Sequence, residues 1–181
     1  MIEHVWICPE VYAGEYMAVD VIFAKPLGCY IEIVQDEQLK SIRFVRINGE
    51  LNERKTLPAS LELADYFDGK MTGFSCECDI SGLSQFTRKV LGETQKIGFG
   101  EIITYSELAR NIGTKAYRAV GRALSCNPVP VVIPCHRVVA RDGIGGYSEG
   151  LDIKEKLLEL EKSTRSITFN ISQRNVGTVP R

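Results

Sequence analysis

The chain has 181 residues, 44% hydrophobic and 25% charged, with a formal net charge of -1. That is the composition of a soluble globular protein with enough apolar residues for one domain, or for two small ones sharing a core. No apolar run approaches the roughly 20 residues of a membrane span, and the start, MIEHVWICPEVYAGEYM, lacks the basic flank and apolar stretch of a secretory signal. The expectation is therefore a protein that stays inside the cell, cytoplasmic or, in a eukaryote, nuclear, with no membrane contact. The near-neutral total hides an asymmetry: residues 1–80 carry 7 basic and 14 acidic residues, residues 81–141 carry 9 and 3, and residues 142–181 carry 6 of each. A basic middle joined to an acidic first part is the charge pattern of a nucleic-acid contact surface.

The first fifty residues read as strands. AVDVIFA, CYIEIV and KSIRFVRI are β-branched runs separated by Pro-Leu-Gly and by the polar Gln35–Gln38 stretch, the pattern of a small antiparallel sheet. Asn52–Thr56 reads as a loop. SLELADYFDGK comes next, with a helical face of Leu61, Ala64 and either Leu63 or Phe67, stopped by Gly69. Residues 71–82 form an irregular connector. From Ser84 the period becomes helical, with Ser84 as cap, an apolar face of Phe86, Val90, Thr94 and Ile97, and Gly98 and Gly100 as terminators.

Ser106 then caps a short helix with Leu108, Ala109 and Ile112 inward. Gly113-Thr114 makes a turn, and a second helix spans about 115–125. Ala116, Val120, Ala123 and Leu124 share its inner face; Tyr117, Arg118, Gly121, Arg122 and Ser125 share the other. Two short helices about a glycine turn, the second with a basic outer face, form the helix-turn-helix pattern. Asn127-Pro128 and Pro130 end the helix, and Val131–Ile133 reads as an extended run into Cys135. A glycine-rich loop, DGIGGYSEG, leads to a last helix opened by Asp152 and Glu155 as a capping box, with Ile153, Leu157 and Leu160 inward. The fold class is α/β of the α+β kind. Its expected parts are a mixed sheet and helix domain (1–80), a helix-turn-helix and active-site domain (81–165) and a polar tail (166–181).

Six cysteines are irregularly spaced, and Cys8, Cys29, Cys76 and Cys78 read as small core hydrophobes. His4, Cys8 and Cys29 offer at most three metal ligands where a structural zinc site takes four, so no metal is expected. Cys135 is different because His136 adjoins it directly. Either it is a buried core thiol with a polar neighbour, or it is a nucleophile. A free thiol has a pKa of about 8.5 and needs a base. His136 is the nearby group that titrates near neutrality, and a carboxylate to orient it belongs on the last helix, at Glu159 or Glu161. The residues alone leave both readings open.

The run Asn127–Val139, NPVPVVIPCHRVV, resembles the active-site signature of the O6-alkylguanine-DNA alkyltransferases. Phe99–Ala109, Arg118–Gly121, Gly146–Ser148, the helix ending at Glu161 and Tyr66–Gly69 are similar to further segments of that family. The resemblance covers about residues 60–162. It implies irreversible transfer of an alkyl group, such as methyl, from guanine O6 in duplex DNA to Cys135, one turnover per molecule, by a cofactor-free monomer. It implies that His136 acts as base through a water, that Glu161 orients it, that Asn127 holds the turn and that Tyr105 donates a proton toward guanine N3. It further implies that the main chain of Cys135 and Val138 reads the base and that Tyr147 and Ser148 close the pocket. By the same resemblance, Arg118 is expected to fill the gap left by the extruded nucleotide, Gly121 to allow close approach to DNA, and Lys115, Tyr117, Arg122 and Ser125 to meet the DNA. Gly92, the Gly98-Phe99-Gly100 run without a proline, and Glu149 on the loop depart from the family pattern. The reading set against this one is a non-catalytic lesion-binding protein of the same fold, which would lack the cysteine acceptor.

Overall fold

The computed structural model describes residues 17–175, and side chains through Ser166. His4 and Cys8 lie outside the described residues. Three strands, β1 (Ala18–Ala24), β2 (Cys29–Gln35) and β3 (Leu39–Val45), form an antiparallel sheet in sequence order. Ala18 pairs with Gln35 and Ala24 with Cys29; Tyr30 pairs with Val45, and a register shift falls at Val34/Gln35. The outer edge of β3 is not left open. Leu39 N–H donates to Glu77 O at 2.8 Å, Asp79 N–H donates to Leu39 O at 2.9 Å, and Ile42 N–H donates to Pro128 O at 2.9 Å. The connector and the Asn127-Pro128 segment therefore satisfy an edge that would otherwise invite pairing with another chain.

Helix α1 (Pro58–Phe67) packs on β1 and β2. Its cap position, Leu57, has no side chain to offer, so the strands satisfy the free N–H groups instead. The buried Asp20 carboxylate accepts from Leu57 N–H at 2.7 Å and Ser60 Oγ at 2.6 Å, and Gln35 Oε1 accepts from Ala59 N–H at 3.1 Å. The buried face is Ala59, Leu63, Tyr66 and Phe67. Leu61 is 50% exposed and Ala64 is only half-buried, so the expected face centred on Leu61 and Ala64 is displaced toward the sheet.

Helix α2 (Gln85–Thr94) is capped by Ser84, which accepts from Thr87 N–H. It buries Thr87, Val90, Leu91 and Thr94, while Phe86 stays exposed, contrary to expectation, because the helix docks through the other side on α3 and α4. A two-residue strand, β4 (Ile103–Thr104), pairs in parallel with β5 (Val138–Val139). That pairing holds Thr104 extended, so Thr104, not Ser106, caps α3 (Tyr105–Asn111), in a capping box with Glu107. Helix α4 (Tyr117–Ser125) starts two residues later than the pattern suggests, and Ala116 is exposed. Helix α5 (Leu151–Asn175) carries residues 166–175 as helix where a polar tail is expected. Asp152 lies inside its first turn and accepts from Arg46 at 2.9 Å, so it is not a cap. The buried apolar side chains form one cluster from Ile22 of β1 to Leu157 of α5, so the sheet and the helical part share a core.

Candidate active site

The chain leaves α4 through Asn127, whose side-chain amide organises the turn into Cys135. Its Oδ1 accepts from Val129 N–H at 3.1 Å, and its Nδ2 donates to Ile133 O at 2.8 Å and to Cys135 Sγ at 3.2 Å. Between these anchors the expected extended run is instead a tight turn: Ile133 N–H donates to Val129 O at 3.0 Å, and Val131 has φ 76°. A β-branched residue in the left-handed region is strained, and here the Asn127 hydrogen bonds and the flanking prolines hold it. Cys135–Arg137 is a single 3-10 turn, so Cys135 and His136 do not alternate across a strand.

That turn sends His136 and Arg137 into the core toward α5. His136, Arg137 and Glu161 are all buried. Glu161 Oε1 accepts from His136 Nε2 at 2.8 Å, from Arg137 Nη2 at 2.8 Å and from the Tyr66 hydroxyl at 2.6 Å; Oε2 accepts from Arg137 Nε at 3.0 Å and from Gly100 N–H at 2.9 Å. Arg137 Nη1 donates to Ile97 O at 2.6 Å. Burial alone would raise the Glu161 carboxyl, but the hydrogen bonds from His136 and Arg137 outweigh it and hold it at about 2. An ionised carboxylate can only accept, so Nε2 of His136 carries its proton and Nδ1 is the basic nitrogen. Nδ1 is buried with no hydrogen-bond partner among the described residues; thiol and imidazole are thus not directly bonded. Burial, with Arg137 and Lys154 adding to it, lowers His136, which is therefore a neutral base at pH 7. Burial raises the Cys135 thiol, against the lowering effects of Asn127 and Lys154, so at rest it is protonated.

Of the two acidic candidates on the last helix, Glu159 is exposed and Glu161 is the partner. Helical phase already separates them, since Glu161 lies four residues after the inward Leu157. Arg137 and Tyr66 were given no role by the sequence. A charge set between Cys-His and two valines calls for a buried carboxylate, a signal that could have pointed to Arg137; Tyr66 carries no such signal.

The mouth of the site is made by α3 and the loop 142–150. Tyr105 begins α3, beside the β4–β5 pairing, and its hydroxyl donates to Gly146 O at 3.3 Å. Burial raises its pKa, so it keeps its proton. Gly145 has φ 75°, and a Cβ there would sit 2.9 Å from Tyr105 Cε2 and 3.0 Å from Ala140 N, so only glycine lets the loop close on this ring. The Tyr147 hydroxyl lies against the Cys135 thiol but has no hydrogen bond of normal geometry among the described residues. Ser148 is exposed. Val138 is buried and its carbonyl already accepts from Lys154. A cleft of about 780 Å³ lies apart from all of this, between the β1–β2 turn, the segment that follows β3 and the start of α5; its Arg46 and Lys156 are engaged by Asp152 and Leu27 O.

Helix α4 packs through Val120, Ala123 and Leu124. Tyr117, Arg118, Arg122 and Ser125 are exposed on its outer side and Lys115 just before it, and the Ser125 hydroxyl is turned back to Arg122 O at 2.8 Å. Gly121 faces inward too: a Cβ there would meet Tyr105 Cε1 at 3.9 Å, so the outer helix and the thiol site are in near contact.

A helix-turn-helix set directly beside a buried thiol, imidazole and carboxylate defines a class: a nucleophilic cysteine carried on a nucleic-acid-binding scaffold. Comparison with known proteins makes the class specific. The family model described as "6-O-methylguanine DNA methyltransferase, DNA binding domain" matches residues 85–163. A methylated-DNA–protein-cysteine methyltransferase of Metallosphaera sedula is 38% identical over 143 residues, 78% of this chain and 91% of its own. The crystal structure of Mycobacterium tuberculosis O6-methylguanine methyltransferase superposes with a TM-score of 0.71 at 31% identity, covering 82% of this chain and 94% of that one. The Mycobacterium tuberculosis OGT in complex with DNA gives 0.69 at 32%, covering 81% and 93%. The chain belongs to the methylated-DNA–protein-cysteine methyltransferase family.

Proposed function

We propose that this protein repairs DNA by taking the alkyl group from O6-alkylguanine in a duplex onto Cys135, irreversibly and once per molecule. The observation that carries the reading is the chain from Cys135 past the free Nδ1 of His136 to the ionised, fully buried Glu161, set behind a helix-turn-helix. An alkyl group on O6 is out of reach inside the stack, so the nucleotide must turn out of the duplex at a cost of a few kcal/mol, less for a poorly paired lesion. The outer face of α4 meets the DNA through Lys115, Tyr117, Arg122 and Ser125, and Arg118 takes the place of the extruded nucleotide.

In the pocket the thiol proton passes through a water to Nδ1 of His136. The sulfur lone pair forms the S–C bond to the alkyl carbon as the C–O6 bond breaks. That electron pair stays on guanine, which is neutralised by the Tyr105 hydroxyl proton at N3; the tyrosinate left behind balances the His136 imidazolium until solvent returns a proton to the one and removes it from the other. The thioether is stable, and among the described residues no group beside it is suited to cleave it. Residues 81–165 do this work, with residues 1–80 supporting them; the protein acts as a monomer in the compartment that holds the DNA.

The test is stoichiometry on duplex DNA bearing O6-methylguanine. One lesion removed per protein molecule, with none removed by Cys135→Ala, supports the reading; lesion binding with no methyl transferred establishes the non-catalytic alternative. Arg118→Ala is expected to slow repair in duplex DNA more than reaction with the free alkylated base, and an equal loss on both contradicts the intercalating role.

A further inference from the structure

Lys154 has no part in the chemistry above, yet its side chain is fully buried. Its ammonium donates to two carbonyls, Val138 O at 2.7 Å and Gly146 O at 3.1 Å. The first belongs to the strand after the Cys135 turn. The second belongs to the mouth loop, and it is the carbonyl that also accepts from Tyr105. A buried ammonium held only by carbonyls carries an unbalanced charge, which is costly. The other buried charges are already matched: Arg137 faces Glu161. Lys154 acts electrostatically on Cys135 and His136 of the 3-10 turn, shares the Gly146 carbonyl with Tyr105 of α3, and holds the loop that carries Tyr147 and the Glu149 carboxylate. His136 is neutral and both tyrosines keep their protons. Of these groups, Cys135 is the one that becomes negative before the alkyl group moves; Tyr105 gives up its proton only as guanine leaves.

We propose that Lys154 is the counter-charge that lets Cys135 ionise inside its dry pocket. By holding Val138 and Gly146 together, it also ties that ionisation to the seating of the loop that carries Tyr147. Lys154 is a positioning residue in this account, acting through the thiol and not on the substrate. The inference rests on the reading of Cys135 as the nucleophile. When the thiol proton moves to His136, the imidazolium and Arg137 share Glu161 and the thiolate faces Lys154, so neither new charge is left without an opposite beside it. When the S–C bond forms and the C–O6 electron pair leaves with guanine, the sulfur becomes a neutral thioether and Lys154 is again unmatched. Burial lowers Lys154 to about 8 even with the opposing pull of Cys135; the resting thiol and the alkylated thioether are both neutral, so the match between the two charges exists only while the thiolate does.

The test uses the full chain without DNA. Iodoacetamide labelling of Cys135, read by peptide mass so that the other cysteines do not contribute, is tracked against pH in wild type, Lys154→Gln and Lys154→Met. Gln can still donate to both carbonyls but carries no charge; Met removes both functions. The expected result is a labelling midpoint raised by at least about one pH unit in Lys154→Gln, roughly a tenfold loss of thiolate at pH 7, with a cooperative thermal transition retained. A midpoint equal to wild type in Lys154→Gln overturns the proposal and leaves a purely structural clamp, whether or not Lys154→Met folds. Since the readout needs no alkylated DNA, failure of wild type to accept a methyl group refutes the proposed function and leaves the Lys154 result standing on its own.

Discussion

Replacing Glu161 with Gln probes the centre of the site, and its cost is calculable. The carboxylate accepts from Tyr66, His136, Gly100 and two nitrogens of Arg137. Its pKa is held at about 2 against an ordinary 4.5, a difference worth about 3 kcal/mol of folding free energy at neutral pH. Breaking a buried ion pair from one side costs about 3–5 kcal/mol independently of that figure, so the two routes agree. At about 2–4 °C per kcal/mol for a chain of this size, Glu161→Gln should lower the melting temperature by roughly 6–20 °C. The pH dependence has a definite sign. The folded pKa lies below the unfolded one, so this stability is fully present above about pH 4.5 and is lost as pH falls toward 2. Urea unfolding at pH 7 and pH 3 should therefore show the gap between wild type and variant narrowing by about 2 kcal/mol in acid. The imidazole also faces a neutral amide that can donate as well as accept, so its tautomer is no longer fixed and its cation no longer stabilised, and methyl transfer at a permissive temperature should fall by roughly 100-fold or more. A variant within 1 kcal/mol of wild type at pH 7, or a gap that does not narrow in acid, refutes the account of this cluster.

Two further substitutions probe the walls of the site. Asn127→Ala removes the partners of Ile133 O, Val129 N–H and the Cys135 thiol; chemical denaturation should show a loss of about 1–3 kcal/mol, and the transfer rate should fall by more than the lost stability explains. Gly145→Ala places a methyl group 2.9 Å from the Tyr105 ring in a positive-φ backbone; transfer should slow several-fold while the circular dichroism of the helices is unchanged, and a wild-type rate would show that the loop need not close on Tyr105.

The strands were legible because β-branched runs stood between clear turn signals, and Ser84 was legible as a cap because nothing else competes for Thr87 N–H. Helix faces were read less well. Leu61 and Phe86 are as apolar as the residues that are buried, and only the docking partner decides which side goes in: the sheet for α1, and α3 with α4 for α2. Thr104 displaced Ser106 as a cap because a pairing with Val139, thirty-five residues away, fixes its backbone. The thiol, the imidazole and the two acidic candidates were visible as a local motif and a helical phase. Arg137 and Lys154 stayed outside that picture, since a buried cation is explained only by acceptors elsewhere in the chain: Glu161 and Ile97 O for one, Val138 O and Gly146 O for the other.

The most direct measurement is peptide mapping by mass spectrometry after the full chain has met a slight excess of duplex DNA carrying O6-methylguanine. The account predicts one added methyl group per molecule, confined to the peptide that contains Cys135, with Cys8, Cys29, Cys76, Cys78 and Cys126 unmodified and no further uptake on longer incubation. A methyl group on any other residue, continued turnover, or an unmodified Cys135 peptide alongside lost lesions would contradict it.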